Sequence, residues 1–372
     1  MKVDTFLVEE FMDAWEHKVE LNIAETCVAP FKLNEFLSLV GEEDYLEKLR
    51  DLELTYGYPG GLPELKEAIA ELYKDATADN ILITHGAIGA NFLTFFSLVE
   101  PGDTVVSVFP TYQQLYSAPK PFGAKVKLLR LKEENKWNID LDELNELVDK
   151  KTKLIVINNP HNPTGNVVEE RILKGVCEIA EDVDSYVLCD EAYYGLWLKP
   201  EYAAPSMVDI CDRAIVTRSF SKSLSLTGLR LGWIVADKEV IKQMAPHRQY
   251  TILSCSILLE KLALLAVQNI EKIYERSLEI IRRNYEIMKN WVEKEPLINW
   301  IPPKGGSTAF PRYHLDMPSE ELAVRLIKET GVFIVPGSSF EIEGHFRVGY
   351  GNKTETIKEG LRRFSEFLEK LT

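Results

Sequence analysis

The sequence predicts an α/β protein: a helix-covered, mostly parallel sheet followed by a smaller α+β part. Three observations predict it. From about residue 45 to 245, apolar runs of four to six residues alternate with amphipathic helical patterns, the signature of strands buried on both faces. The residues with chemistry to offer collect at the ends of those runs, where an open parallel sheet binds its ligands. A long helical pattern at 257–293 then separates this region from a C-terminal stretch with strands and helices of its own.

Residues 1–40 read as an extended or partly helical arm. A helix follows from about 62 in LPELKEAIAELYKD, where Leu62, Leu65, Ile69 and Leu72 share a face and Pro63 suits the first turn. NILITHG reads as a strand ending at Gly86, with a helix after it. DTVVSVFP and AKVKLLRL are strand-like, LDELNELVDK is helical, KLIVINNP is a short buried strand and EERILKGVCEIAED a helix. SYVLCDEAYYG is a strand running into a loop, and RAIVTRSF and RLGWIVAD are two more strands. In 257–293, Ile270, Tyr274, Leu278, Ile281, Tyr285 and Met288 recur at three and four, so a long bridging helix is expected. Beyond it come a strand near Thr308 to Pro311, a helix at 319–329, and strands in GVFIVP and HFRVGY. In the final helix Ile357, Leu361, Phe364, Leu368 and Leu371 form one core-facing stripe. The expected boundaries are an arm at 1–40, a large domain at 41–260, and a bridging helix with a small domain at 261–372.

At 372 residues and 45% apolar content, the chain can fill two cores. Its formal charge of -15 argues against nucleic acid and anionic membrane surfaces as partners. No run reaches the roughly 18 apolar residues of a membrane span, and MKVDTFLVEEFMDAWEHKVE carries acids where a signal peptide is apolar. The five cysteines (Cys27, Cys177, Cys189, Cys211 and Cys255) show no CxxC or metal-ligand spacing. Cys177 and Cys189 lie in apolar runs and read as buried thiols, so a reducing, cytoplasmic setting is expected. The six histidines are scattered without HExxH, and no metal is expected.

Four strand ends carry the informative residues. ILITHGAIGAN ends at Gly86, LIVINNPHNPTG in two Asn and a turn, YVLCDEAYYG at Asp190, and IVTRSFSK at Ser219 and Lys222. Each alone has a structural reading: an Asn-Pro dipeptide marks a turn, an Asp at a strand end caps a helix, and a lone Lys sits on a surface. Together they place a carboxylate, amides, hydroxyls and cations around one crevice. A lysine amine forms a Schiff base with an aldehyde. A phosphate takes backbone donors, hydroxyls and an Arg fork. A protonated pyridine nitrogen takes a buried Asp, and a substrate carboxylate takes a bidentate Arg.

In order, YGYPGG, THGAIGA, PTY, NNPHNPTG, DEAYYG, SFSKSLSLTGLRLG, PGSSF and FRVGYG resemble the pattern of a fold type I, pyridoxal-phosphate-dependent class I/II aminotransferase, the aspartate aminotransferase superfamily. The resemblance covers about residues 20–370. It implies a seven-stranded sheet in a large domain that binds pyridoxal 5'-phosphate, and a small domain to which the N-terminal arm contributes. By this resemblance Lys222 is the lysine that forms the Schiff base and moves the proton. Asp190 partners the pyridine nitrogen, while Tyr193 and Asn162 bind the ring hydroxyl. Ser219 and Arg230 hold the phosphate with the backbone at Ala87 and Ile88. Tyr112 stacks on the ring, and Arg347, helped by Asn162, clamps the substrate α-carboxylate. Tyr56 reaches the phosphate of a neighbouring subunit, so a homodimer with shared sites is implied. The substrates implied are an amino acid and a 2-oxo acid.

Two stretches depart from the pattern. Ile88 stands where relatives offer a hydroxyl, so main-chain N–H groups or Ser221 must serve there. LNIAETCVAPF replaces a Gly-rich turn with Glu-Pro on the substrate side. Its Glu25 either faces a cationic side chain, as in arginine-using, capreomycidine-synthase-like relatives, or caps locally. The flank HRQYTILSCS offers Arg248, Tyr250, Thr251 and Ser254 but no evident receptor for a dicarboxylate. The expected reaction is transamination. Elimination, cyclisation or oxidation would use the same Lys222 and Asp190. A cofactor-binding regulator would need a DNA-binding domain for which there is no room, and a purely structural role leaves the crevice residues unexplained.

Overall fold

Seven apolar segments pair into one sheet in the computed structural model, which describes residues 2–371. They are β1 (Ile81–Thr84), β2 (Thr104–Phe109), β3 (Lys125–Arg130), β4 (Thr152–Asn158), β5 (Tyr186–Asp190), β6 (Ala214–Ser219) and β7 (Gly232–Ala236). Their order across the sheet is β1-β7-β6-β5-β4-β2-β3. Only β7 runs against its neighbours, β1 and β6; the other pairs are parallel. Every residue of β1, β2, β6 and β7 is buried, which is why these strands read as unbroken apolar runs. The edge strand β3 differs: Lys125 and Arg130 are exposed, charges that discourage pairing with another chain.

The covering helices follow their sequence signals. Helix α1 (Gly86–Leu98) starts directly from the end of β1. Asp140 caps the helix Leu141–Leu147, accepting from the backbone N–H of Asp142 at 3.0 Å and Glu143 at 3.2 Å. Glu170–Asp182 buries Leu173, Val176, Cys177 and Ala180 on one face.

The 257–293 pattern is two helices, α2 (Ile257–Gln268) and α3 (Ile270–Val292). At Asn269 the backbone turns to φ -121, ψ 28, and the side chain donates to the Leu265 carbonyl at 3.0 Å. An Asn that satisfies a terminal carbonyl ends a helix, whereas apolar spacing alone runs through the break. Helix α3 touches both parts of the molecule: Ser277 donates to the Ser223 carbonyl at 2.9 Å, next to Lys222, and Trp291 packs on Phe364 of the last helix.

In the C-terminal part, Thr308–Ala309, Phe346–Gly349 and Val335–Pro336 form a three-stranded antiparallel sheet. GVFIVP is not one strand, because Val332–Phe333 pairs with Leu21–Asn22 of the arm while Val335–Pro336 pairs with Phe346–Arg347.

One cysteine expectation is corrected. Cys177, on the helix Glu170–Asp182, faces Cys211 in the turn before β6 with Cα atoms 5.7 Å apart, and the two form a disulfide. Cys27, Cys189 and Cys255 are buried free thiols. No described helix is long and apolar enough to cross a membrane.

Candidate active site

The carboxyl ends of β1, β4, β5 and β6 open onto a cavity of about 520 Å³, lined by every sequence-predicted site residue except Tyr56. An N-terminal helix, Leu7–Trp15, lies over it and contributes Val8, Glu9 and Met12, with Glu16 just beyond.

Asp190 ends β5 at the cavity floor. One carboxylate oxygen accepts from Asn91 Nδ2 at 2.8 Å and the other from the Ala192 N–H at 3.0 Å. Asn91 is itself oriented by Thr217, whose hydroxyl donates to Asn91 Oδ1 at 2.7 Å. Burial pushes the Asp190 carboxyl above its ordinary range, against these hydrogen bonds and the Lys222 charge. A buried carboxylate in that condition gains from a cation placed against it.

A second group of residues suits an anion. Helix α1 begins at Gly86 with no side-chain cap from His85, which leaves its first-turn N–H groups at Ala87 and Ile88 facing the cavity. Gly232 packs so closely on this turn that an added Cβ would meet the Gly86 carbonyl carbon at 2.5 Å and Ala87 N at 2.8 Å. Arg230, in the left-handed region at φ 52, donates to Ser221 Oγ at 3.3 Å and the Thr227 carbonyl at 3.1 Å. Ser219 Oγ accepts from the Ser221 N–H at 3.0 Å. Ile88 offers only its backbone, and the hydroxyls of Ser219, Ser221 and Thr227 all line the cavity.

Lys222 sits between these groups and the arm. Its Nζ donates to Thr26 Oγ1 at 2.8 Å and contacts Cys27 Sγ at 3.2 Å. Burial opposes its charge, but Cys27, Tyr193 and Glu25 outweigh burial and hold the amine's pKa above its ordinary value. Burial also opposes ionisation of Glu25, yet the Lys222 charge, the Cys27 N–H and the Arg347 charge keep that carboxyl low. Tyr193 is buried, and burial raises its phenol against the charges of Lys222 and Arg347.

Arg347 lies across the cavity with only loose partners. It reaches Asn162 Oδ1 at 3.4 Å, the Ala24 carbonyl at 3.5 Å and Met12 Sδ at 3.9 Å, and its buried Nε has no partner among the described residues. The Asn162 N–H donates to Asn158 Oδ1 at 2.7 Å, and Asn158 Nδ2 donates to the Asp190 carbonyl at 2.8 Å. One amide thus joins the NPTG turn to the Asp190 strand.

Sequence reasoning missed Asn91, Thr217, Asn158, Thr26, Cys27, Thr227, the helix carrying Glu9 and Met12, and Glu16 just past it. The one available signal was the pair of acids on that helix's apolar face. Tyr56 is 79% exposed, away from this chain's cavity. Arg248, left without a role in the sequence, is fully buried and donates to the carbonyls of Ile83, Pro59, Ile252 and Leu253. The clustered metal-ligand set among the described residues, Cys177, Glu181 and Cys211, contains the disulfide.

The donor set fits pyridoxal phosphate: a buried carboxylate for a ring nitrogen, an amine for an aldehyde, and an uncapped helix start with three hydroxyls and an Arg for a phosphate. Comparison with known proteins agrees. Residues 42–364 match the family model for aminotransferase class I and II. The aspartate aminotransferase of Pyrococcus horikoshii is 32% identical over 361 residues, covering 91% of this chain and 92% of that enzyme. The capreomycidine synthase of Streptomyces vinaceus is 32% identical over 310 residues, covering 83% and 79%. A PLP-dependent aminotransferase from Streptococcus suis superposes with a TM-score of 0.97 at 39% identity, covering 100% of this chain and 99% of that one.

Proposed function

The chain belongs to the class I and II aminotransferases and is a pyridoxal-phosphate-dependent enzyme, and from that premise we propose how its own residues divide the work. The observation that carries the proposal is that Lys222, Asp190 and Arg347 line one cavity. When bound, pyridoxal phosphate supplies an aldehyde for the amino group and a cationic ring that accepts the electrons left on Cα.

Ser219, Ser221, Thr227, Arg230 and the N–H groups of Ala87 and Ile88 bind the phosphate. Asp190, held by Asn91 and the Ala192 N–H, keeps a proton on the ring nitrogen. Tyr193 and Asn162 would hydrogen-bond the ring hydroxyl, and Tyr112 would hold the ring in place. Arg347 takes the substrate α-carboxylate as a fork, and Asn162 fixes its angle, which orients the Cα–H bond toward Lys222. Lys222 Nζ takes the Cα proton and holds it for return. The helix Leu7–Trp15 excludes water from the cavity.

We also assign the chain to a homodimer. Leu54, Tyr56, Tyr58, Tyr250 and Leu253 are exposed by 84, 79, 49, 86 and 52%, large apolar side chains of the kind a partner surface covers. Arg248 ties the loops that bear them, since it donates to Pro59, Ile252 and Leu253. In a dimer Tyr56 completes the neighbouring phosphate site.

The test is a half-reaction. Holoenzyme mixed with single amino acids shifts from the aldehyde to the amine absorbance of the cofactor, and a 2-oxo acid reverses the shift. Release of ammonia with an oxo acid, or a cyclised product, would replace transamination with another outcome at the same Lys222.

A further inference from the structure

We propose that the amino acid this enzyme takes carries a cationic side chain, a guanidinium or an ammonium, held by Glu9, Glu16 and Glu25. The inference rests on the aminotransferase reading above and names its substrate class.

The first observation is a misplaced pair of acids. On the N-terminal helix Val8, Glu9 and Met12 line the cavity, as does Glu16 just past its end, whereas Glu10 and Asp13 are exposed. A helix that buries Val8 and Phe11 puts apolar residues on its inner face by default. Glu9 and Glu16 occupy that inner stripe, and the cations acting on these acids, Lys222 and Arg347 on Glu25 and Arg347 on Glu9, are the ones that the cofactor and the α-carboxylate would engage.

The second observation is charge matching. The cavity is lined by the cations Lys222, Arg230 and Arg347 and by the carboxylates Glu9, Glu16, Glu25 and Asp190. A cofactor phosphate takes Arg230, a ring N–H faces Asp190, and the substrate α-carboxylate takes Arg347. Lys222 would be committed to the cofactor aldehyde and to the Cα proton, so it is not the partner of a substrate side chain. Glu9, Glu16 and Glu25 then line the cavity with no cation committed to them. Like charges so placed repel one another, and the Glu16 carboxyl is raised by burial and by Glu25, Glu9 and Asp13. A ligand cation offsets that repulsion; a ligand carboxylate adds to it.

The third observation fixes where the ligand lies. Arg347 is 3% exposed, its Nε is unpartnered, and its Nη2 is 3.9 Å from Met12 Sδ. Met12 sits between Glu9 and Glu16, three residues after one and four before the other. Glu9 stands roughly 4.5 Å before Met12 along the helix, and Glu16 lies just past the helix end in the turn that follows, so the two acids flank the residue that Arg347 touches. The hydrogen bonds that hold the three acids, from Tyr112 Oη at 3.0 Å, Asn22 Nδ2 at 3.1 Å and Cys27 N at 2.6 Å, all fall on Oε1. They orient the carboxylates without neutralising them.

The test titrates holoenzyme with L-arginine, L-lysine, L-citrulline, L-norleucine and L-aspartate, reading half-saturation from the cofactor absorbance. L-citrulline and L-norleucine have nearly the shapes of arginine and lysine without the charge. The expected result is at least tenfold tighter half-saturation by arginine than by citrulline, or by lysine than by norleucine. Glu16→Gln should narrow that ratio while the cofactor spectrum stays as in wild type, and Glu9→Gln should narrow it too. Which cation wins separates guanidinium from ammonium. Equal half-saturation by the charged and neutral partners of both pairs, or preference for aspartate, overturns the proposal with the aminotransferase reading intact. If no amino acid of any class changes the spectrum, the aminotransferase reading fails and this inference fails with it.

Discussion

Asp190 is held at both oxygens, and its environment leaves it without a matching charge. Asn91 and the Ala192 N–H fix its direction, and burial makes an adjacent cation valuable. Asp190→Asn keeps the shape and removes the charge, so it should lower kcat by roughly 10³-fold, about 4 kcal/mol of barrier, with cofactor still bound. A variant with near-normal kcat at saturating cofactor would contradict the pyridinium assignment. At this scale the sequence was informative wherever a role belongs to a motif: Lys222, Asp190, Arg347 and Arg230 all reach one cavity. It was silent on residues whose role is conferred by tertiary neighbours. Asn91 lies inside α1 and reads as an ordinary helical position until Thr217 and Asp190 close around it. Ile88 was legible as a missing hydroxyl, but Thr227 as an additional one was not, because it reaches the cavity only through the turn that puts Arg230 at φ 52.

Elements were legible where burial is uniform and obscure where short pieces change partners. The strands of the large sheet are buried along most of their length, and only the edge strand carries exposed charges. The split at Asn269 escaped because an apolar stripe continues through it, and the two-residue strands Val332–Phe333 and Val335–Pro336 escaped because each is fixed by its partner. The loop at 57–61 shows the same dependence. Glu260 on α2 accepts from the Leu62 N–H at 3.3 Å, beneath Gly57 and Gly61. Burial pushes its carboxyl up to about 7 from an ordinary 4.5, against the Leu62 N–H and the Arg248 charge. A carboxyl raised on folding binds its proton more tightly in the folded state. Its contribution to stability is therefore complete below about pH 4.5 and lost as pH rises through about 7. Glu260→Gln keeps the acceptor and cannot ionise, so its Tm relative to wild type should be more favourable at pH 8 than at pH 5. An equal difference at both pH values would contradict the assignment.

The whole molecule raises two questions that local patterns could not answer. The first is assembly. Tyr56 is conspicuous in the sequence, but its exposure and that of Tyr250 beside the buried Arg248 scaffold emerge only from the fold. If these residues meet a second copy, sedimentation should show a dimer, and dilution below its dissociation constant should weaken cofactor binding together with assembly. A monomer that binds cofactor and turns over at full rate would contradict the shared site. The second is the state of the cysteines. Spacing suggested only thiols, whereas the fold brings Cys177 and Cys211 together across 34 residues. Thiol titration of the denatured, unreduced protein should count three groups, those of Cys27, Cys189 and Cys255. A count of five would contradict the disulfide.

All of this turns on Lys222 as the residue that bonds the cofactor and moves the proton. Its Nζ lies among Thr26, Cys27, Tyr193 and Glu25, in the cavity it shares with Asp190 and Arg347. The direct measurement is borohydride reduction of the holoenzyme followed by peptide mapping. The account predicts the cofactor fixed to the peptide containing Lys222, and a Lys222→Ala enzyme that folds, retains some phosphate affinity, takes no label and does not turn over. Label on another lysine, or measurable turnover by Lys222→Ala, would contradict it.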